Sequence, residues 1–350
     1  MSEVRSDVLL DVRDLRCTIP TPRGDVKVLS GVNVTLDRGQ TLGLVGESGS
    51  GKSMFVRSLM GITPPQAVLE GTARFDGQDL LTLPKTEARQ IWGRRIGMVF
   101  QDPMTSLNPV VRIGRQVGEA AEKHLGLTRQ QARRRAIELL ELVGIPEPGK
   151  RHRSYPHEFS GGMRQRVTIA MALACEPDLL IADEATTALD VTVQQQILDL
   201  LQEIQRERHM AMILVSHDLG VVSDRCDEVA VMYAGRIVEH APTDRLFAEH
   251  RHRYTGALLR AIPRFDRPKH SVLETIEGTP PNLAALPPGC AFAPRCRFSV
   301  DACTTAVPPM TPAEDERHRF ACYNPSTAED RRDDPVVSPG TMSTSKEAVL

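Results

Sequence analysis

The chain has 350 residues, 41% of them hydrophobic and 25% charged, which is enough for a sizeable buried core and about two domains. With 43 basic and 45 acidic residues the net charge is −2, which argues against a nucleic-acid binder held by a broad basic surface. No apolar run approaches the length of a membrane span, and the first seven residues lack the charged-then-apolar order of a signal peptide. The expected setting is cytoplasmic, where the seven cysteines are not expected to form disulfides.

In chain order, residues 8 to 17 read as a strand and Thr21 to Asp25 as a turn. Val26 to Leu36 alternates weakly, as a second and third strand would, and Asp37 to Gln40 turns into a short apolar run, Thr41 to Val45, fit for a buried strand. Residues 71 to 80 read as a hairpin, and Ile96 to Phe100 as a strand that delivers Gln101. From about 103 to 165 the pattern is that of a helical insert. Its best helix is Thr128 to Val143, with Thr128 as N-cap and Ala136, Leu139, Leu140 and Val143 on one face. Arg133 to Arg135 read as a solvated face. Leu179 to Ala182 and Met212 to Val215 are continuous apolar runs, as in strands buried on both faces of a parallel sheet, with an amphipathic helix from Val193 to Arg206 between them. Glu228 to Val238 is β-rich with a turn at Gly235, and 241 to 265 reads as helix. A proline-rich, cysteine-containing stretch spans 278 to 323, and the last 25 or so residues have the composition of a disordered tail.

The chain is organised around Gly46-Glu47-Ser48-Gly49-Ser50-Gly51-Lys52-Ser53. It fits G-x-x-x-x-G-K-[ST] and lies between a predicted strand and a predicted helix, the order that phosphate binding needs. Glycines let backbone N–H groups close round phosphate oxygens, and the helix N-terminus favours an anion. Lys52 is expected on the β/γ-phosphates and Ser53 on Mg²⁺. A second signal is Leu179 to Glu184, an apolar strand that ends in two acids. Asp183 is placed to hold Mg²⁺ and Glu184 to polarise the attacking water. The third is Ser160-Gly161-Gly162-Met163-Arg164-Gln165, where glycines open another helix and make a second anion site. One chain cannot easily aim two helix N-termini at one γ-phosphate, whereas two chains packed head to tail can.

Taken together these residues closely resemble the ATP-binding cassette (ABC) proteins, over about residues 8 to 325. The match runs in family order: Walker A at 46–53, the Q-loop at Gln101, the signature at 160–165, Walker B at 179–184, the D-loop Ala188-Leu189-Asp190 and the switch His217. More narrowly, Phe100 to Pro109, Thr187 to Gln194 and the Ser-Gly-Gly-Met-Arg-Gln signature resemble the D-type ATPase subunit of bacterial oligopeptide/dipeptide importers. The resemblance implies an α/β P-loop NTPase fold with a RecA-like core, an antiparallel β subdomain and the helical insert, followed by a small cysteine-containing domain. It places the ATP-binding domain at 1–250, the C-terminal domain at 251–325 and a disordered tail at 326–350.

The resemblance also assigns roles. ATP is held by Gly46, Glu47, Ser48, Gly49, Ser50, Gly51, Lys52, Ser53 and Gln101, with Mg²⁺ on Ser53, Gln101 and Asp183. Glu184 is the general base, and His217 holds the γ-phosphate and the attacking water. Ser160, Gly161, Gly162 and Gln165 complete the partner's ATP site, with Asp190 in the D-loop. One departure concerns the base: where the family stacks adenine on an aromatic, this chain has Ile19.

Cys290, Cys296, Cys303 and Cys322 cluster with spacings C-x5-C-x6-C-x18-C. Four thiolates suit zinc or an iron–sulfur cluster, and free or redox-active thiols are the third reading. Some peptide-importer ATPases carry a [4Fe–4S] cluster in this region, so the resemblance favours that assignment. Cys17, Cys175 and Cys226 read as core residues.

The expected function is ATP hydrolysis that powers peptide import, with nickel or oligosaccharide import as the alternative cargo. The expected partners are two transmembrane permease subunits, a sister cassette in a heterodimer, and an extracytoplasmic substrate-binding protein through the complex, with no nucleic acid. The expected place is the cytoplasmic face of the membrane. A DNA-repair or chromosome-structuring ATPase shares the signature, but would carry coiled coils or large insertions between Walker A and the signature, where this chain has no heptads.

Overall fold

The structure is a computed structural model that describes residues 7–22, 24–185, 190–262 and 275–331. Among these the strands run β1 (Val8–Ile19), β2 (Val26–Asp37), β3 (Thr41–Val45), β4 (Val68–Phe75), β5 (Gln78–Asp79), β6 (Ile96–Val99), β7 (Leu179–Asp183), β8 (Ala211–Ser216), β9 (Glu228–Tyr233), β10 (Arg236–Pro242), β11 (Thr311–Pro312) and β12 (Arg319–Phe320). As far as they are described, the residues form two compact units. The first holds the start of the chain to Leu10, Leu36–Gln40 and Arg74–Val215, and the second holds Asp11–Thr35, Thr41–Ala73 and the chain from Ser216 onward. The units interleave along the sequence. β1, β2 and β4 contribute residues to both and, with β5, form a sheet in the order β2-β1-β4-β5 whose β4 and β5 are antiparallel.

In the first unit β6, β7 and β8 are parallel neighbours, in register from Ile96↔Leu179 to Val99↔Ala182 and from Leu179↔Ala211 to Asp183↔Val215. Every residue of these strands is buried, which is why they read as continuous apolar runs. Arg95 ties the edge together, reaching Asp178 at 2.6 Å and Asp76 at 2.7 Å. Its guanidinium holds the Asp76 carboxyl below the usual range. The insert contains two helices where the sequence pattern ran on, Ile113–Leu125 and Arg129–Leu142. Gly126, in the left-handed region, ends the first. Thr128 opens the second with a capping box in which it accepts from Gln131 N and Gln131 accepts from Thr128 N. Ala136, Leu139, Leu140 and Val143 are buried as the face predicts.

In the second unit β3 pairs in parallel with β9, and β9 turns through Ala234-Gly235 into antiparallel β10. β2 is one strand of twelve residues, in place of the two expected between Val26 and Leu36, because Gly31 at φ 87° carries the chain on without a turn. The stretch from 241 is likewise two helices, Thr243–Glu249 and Arg253–Arg260, broken at His250. Residues 263–265 lie outside those described.

β12 extends the sheet from β10, with β11 beyond it. This addition is anchored by Glu239, whose carboxylate is 0% exposed. It accepts from Arg251 N at 2.5 Å, from His252 N at 3.0 Å, and pairs with His318 Nε2 at 2.8 Å. Those bonds hold its pKa below the usual carboxylate range although burial opposes them. Residues 326–331, assigned to a disordered tail, are packed: Ser326 N donates to Arg251 O and Asp330 pairs with Arg253 at 3.0 Å. The rest of that tail lies outside the described residues.

His252 caps the helix that begins at Arg253, its Nδ1 accepting from Tyr254 N at 3.1 Å. A protonated Nδ1 could not accept, and burial lowers the pKa to about 4 despite the nearby Glu239. The unfolded chain takes up this proton near the ordinary value of 6.5, and the folded chain only near 4. Stability is therefore full above the unfolded value and lost as the pH falls between the two, by about 3 kcal/mol. Urea midpoints measured from pH 7 to pH 4 should show this loss. His252→Asn, which caps without titrating, should flatten it.

Candidate active site

The second unit carries the phosphate loop. All five residues of β3 are buried, so the loop leaves the sheet from a fixed base. Gly46 turns at φ 152°, and a Cβ there would lie 2.2 Å from Met232 O. No other residue fits without moving β9. Lys52 opens the helix Lys52–Leu59, with Gly51 as N-cap. Its ammonium is buried and donates to Gly46 O at 2.8 Å and Glu47 O at 3.1 Å. The ammonium can exchange either carbonyl for a phosphate oxygen at low cost. The hydroxyl of Ser50 is buried with no hydrogen-bond partner among the described residues, so the loop has polar capacity in reserve, as a site for an oxyanion requires. Ser53 follows Lys52 in the first turn. Ile19, at the end of β1, is half-buried.

Glu47 has two further partners that the sequence pattern did not reveal. Its backbone N–H donates to the Tyr254 hydroxyl at 2.7 Å. Its carboxylate takes a two-pronged ion pair from Arg295, Nη1 to Oε2 at 2.6 Å and Nη2 to Oε1 at 3.0 Å. Tyr233, Tyr254 and Phe292 pack round this contact with ring centroids 4.5 to 5.4 Å apart. The one hint in the sequence was an acid inside an anion-binding loop, a position that calls for a nearby cation. His217 follows β8 and is exposed.

The first unit carries the acidic strand and the signature. Asp183 ends β7 and is 3% exposed. Glu184 follows at φ 48°, its N–H donating to Val215 O at 3.2 Å. That left-handed backbone turns its carboxylate out of the strand line, where it accepts from Gln101 Nε2 at 2.8 Å. The Q-loop and the acidic strand therefore meet at this hydrogen bond. Ser160 is the N-cap of the helix Gly161–Ala172 and accepts from Met163 N at 3.3 Å. Ser160 and Gly161 are exposed, and a Cβ on Gly162 would press within 2.7 Å of Val193 Cγ1. Gln165 departs from expectation. It is 0% exposed, whereas Ser160 and Gly161 are open to solvent. Asp190 caps the helix Val191–Arg208 by accepting from Val193 N at 3.0 Å, and Ala188 and Leu189 lie outside the described residues.

Mg²⁺ takes oxygen donors and keeps several waters. The hydroxyl of Ser53, the carboxylate of Asp183 and the amide of Gln101 are donors of that kind. The cysteines give a different result. Cys290, Cys296, Cys303 and Cys322 gather in one lobe, where Cys290 and Cys296 each help to raise the Cys322 thiol. Burial raises Cys290 and Cys296, and takes Cys322 to about 11. Yet among the described residues no three Cys, His, Asp or Glu side chains are arranged to hold a metal ion. The described residues thus give no support to the expected iron–sulfur cluster, nor to the zinc reading. The four cysteines form no disulfide, and Cys303 is buried while Cys290, Cys296 and Cys322 are half-buried.

Residues 29–187 match the family model described as ABC transporter, and residues 238–303 that described as oligopeptide/dipeptide transporter, C-terminal region. The oligopeptide transport ATP-binding protein OppD of Salmonella typhimurium is 50% identical over 91% of this chain and 95% of its own length. The dipeptide transport ATP-binding protein DppD of Bacillus subtilis is 47% identical over 90% of this chain and 94% of its own. Among solved structures, the ATP-binding cassette MJ0796, a dimer bound to ADP and Pi, aligns with a TM-score of 0.60 and 27% identity over 67% of this chain and 98% of that one. Among the described residues no helix is long and apolar enough to cross a membrane.

The cradle at Gly46 sets a clear expectation. Gly46→Ala should cost about 3 kcal/mol or more through the clash with Met232 O. It should also abolish saturable ATP binding, to be read from thermal melts with and without MgATP.

Proposed function

The chain belongs to the ATP-binding subunits of ABC transporters, hydrolases of ATP, and we propose on that premise that it powers the import of di- and oligopeptides. The observation that carries the reading is the phosphate loop with its buried Lys52 held by loop carbonyls. In this reading Lys52 and the N–H groups of Ser48 to Ser53 hold the phosphates. Ser53, Gln101 and Asp183 hold Mg²⁺, which when bound offsets charge on the β/γ-phosphates. Glu184 accepts a proton from the attacking water, and His217 orients that water against the γ-phosphate. Ser160, Gly161 and Gly162 face the nucleotide of a second cassette, with Asp190 beside them. Support for the base comes from the Gln101–Glu184 hydrogen bond, which sets the carboxylate toward the Q-loop.

Peptide cargo is supported by the relatives' names and by the C-terminal region that matches the oligopeptide/dipeptide model. Nickel and oligosaccharide cargo are not favoured. The motor would comprise residues 1–250, with 251–325 as the C-terminal domain. Two permease subunits, a sister cassette and an extracytoplasmic binding protein would complete the importer, with this chain on the cytoplasmic face. Phe100, Met104 and Val110, 42%, 61% and 79% exposed, flank Gln101 and give the permease an apolar foothold.

Glu184→Gln is expected to keep ATP affinity while hydrolysis falls about 10²- to 10⁴-fold, the range of general-base assistance. Lys52→Ala should lose ATP binding altogether. Single-turnover hydrolysis and nucleotide titration on the same preparations separate the two effects. Peptide uptake by vesicles that contain the assembled importer tests the cargo, and transport of nickel in place of peptide would refute it.

A further inference from the structure

Arg295 lies in the C-terminal region, 248 residues from Glu47, and its five N–H donors are all engaged. Nε donates to Glu277 O at 2.8 Å. Nη1 donates to Glu47 Oε2 at 2.6 Å and the Tyr233 hydroxyl at 3.3 Å. Nη2 donates to Glu47 Oε1 at 3.0 Å and Ile276 O at 3.2 Å. The side chain is 5% exposed against 24% for Glu47. The guanidinium therefore joins three segments, 276–277, the end of β9 and the phosphate loop, in one plane. The short 3₁₀ turn Ala293–Arg295 aims it, with Phe292 and Cys296 on either side of that turn.

The loop has reason to need this grip. An unpaired carboxylate at its second position would repel the triphosphate that the loop exists to bind. It would also leave the loop free to adopt other conformations, and ordering them would then count against binding. The ion pair removes the charge and fixes the side chain, while Tyr254 fixes the adjoining N–H. Neither contact reaches the reacting atoms.

We propose that Arg295 is a positioning residue for the nucleotide loop, through which the cysteine-bearing C-terminal segment sets the ATP affinity of residues 46–53. This rests on the assignment of that loop to ATP. The effect falls on binding and leaves the hydrolytic step alone, since Glu184 and Gln101 sit on other elements. Lysine cannot replace the arginine, because one ammonium with three donors cannot span both carboxylate oxygens and the two carbonyls.

The test is the Kd for a fluorescent ATP analogue, trinitrophenyl-ATP, with kcat and KM for MgATP, all on the full chain. Wild type should bind and Lys52→Ala should not, and failure of that pair sinks the ATP assignment itself. With it in place, Arg295→Ala should raise Kd and KM about tenfold with kcat within about twofold. Arg295→Lys, which keeps the charge and covers the case of an unfolded alanine variant, should recover less than half of that loss. Glu47→Gln combined with Arg295→Ala should bind no worse than Arg295→Ala alone, because both remove one contact. The proposal is overturned by an unchanged Kd, by a fall in kcat at unchanged KM, by full rescue with lysine, or by additive losses in the double variant. A lowered melting temperature with unchanged Kd would also overturn it and reduce Arg295 to a structural tie.

Discussion

Gly46 turns against the carbonyl of Met232 at a distance no Cβ could occupy, so the chain leaves β3 at one point and in one direction. The loop's ability to present backbone N–H groups follows from that turn. The buried strands β3 and β9 form the rigid floor, and Lys52 waits on two carbonyls of the loop itself. This is preorganisation in a literal sense: the hydrogen bonds a phosphate will take over already hold the lysine in place. The same floor extends through β10 to β12, so the C-terminal segment is built on the sheet that carries the loop. Its own anchor is the buried Glu239, satisfied by two backbone donors and His318.

Local signals were well expressed in the sequence. The phosphate loop, the acidic strand and the signature are each short runs in which spacing alone fixes geometry, so Lys52, Glu184 and Ser160 could be placed from pattern. The Thr128 N-cap and the buried face of its helix were legible for the same reason. What could not be read were contacts between residues far apart. Arg295 and Tyr254 reach Glu47 across about two-thirds of the chain, and no periodicity reports such a pair. The helix break at His250 was missed because the capping residue, His252, is not one of the usual N-cap types.

The cysteines show the limit of spacing as evidence. Their sequence clustering is real in space, since the thiols act on one another electrostatically. Coordination demands more, because three or four donors must be arranged round one ion, and among the described residues no such group is found. Gln165 teaches a related lesson. It lies within the signature, yet its side chain is turned wholly inward. A motif marks the backbone path as much as the side chains, so membership of the motif does not guarantee contact with the ligand.

The buried thiols also bear on how this protein can be handled. Each of the seven native cysteines is buried or half-buried. Burial raises Cys17, Cys175, Cys226, Cys290, Cys296 and Cys322 above the ordinary thiol range. The thiolate is the form that attacks a maleimide and that oxygen oxidises, so these side chains are slow partners for either. A cysteine introduced at an exposed position, such as Gly149 in the one-turn helix Pro148–Arg151, would react far ahead of them. A dye or spin label could then report nucleotide-driven movement on the wild-type background, with no need for a cysteine-free variant.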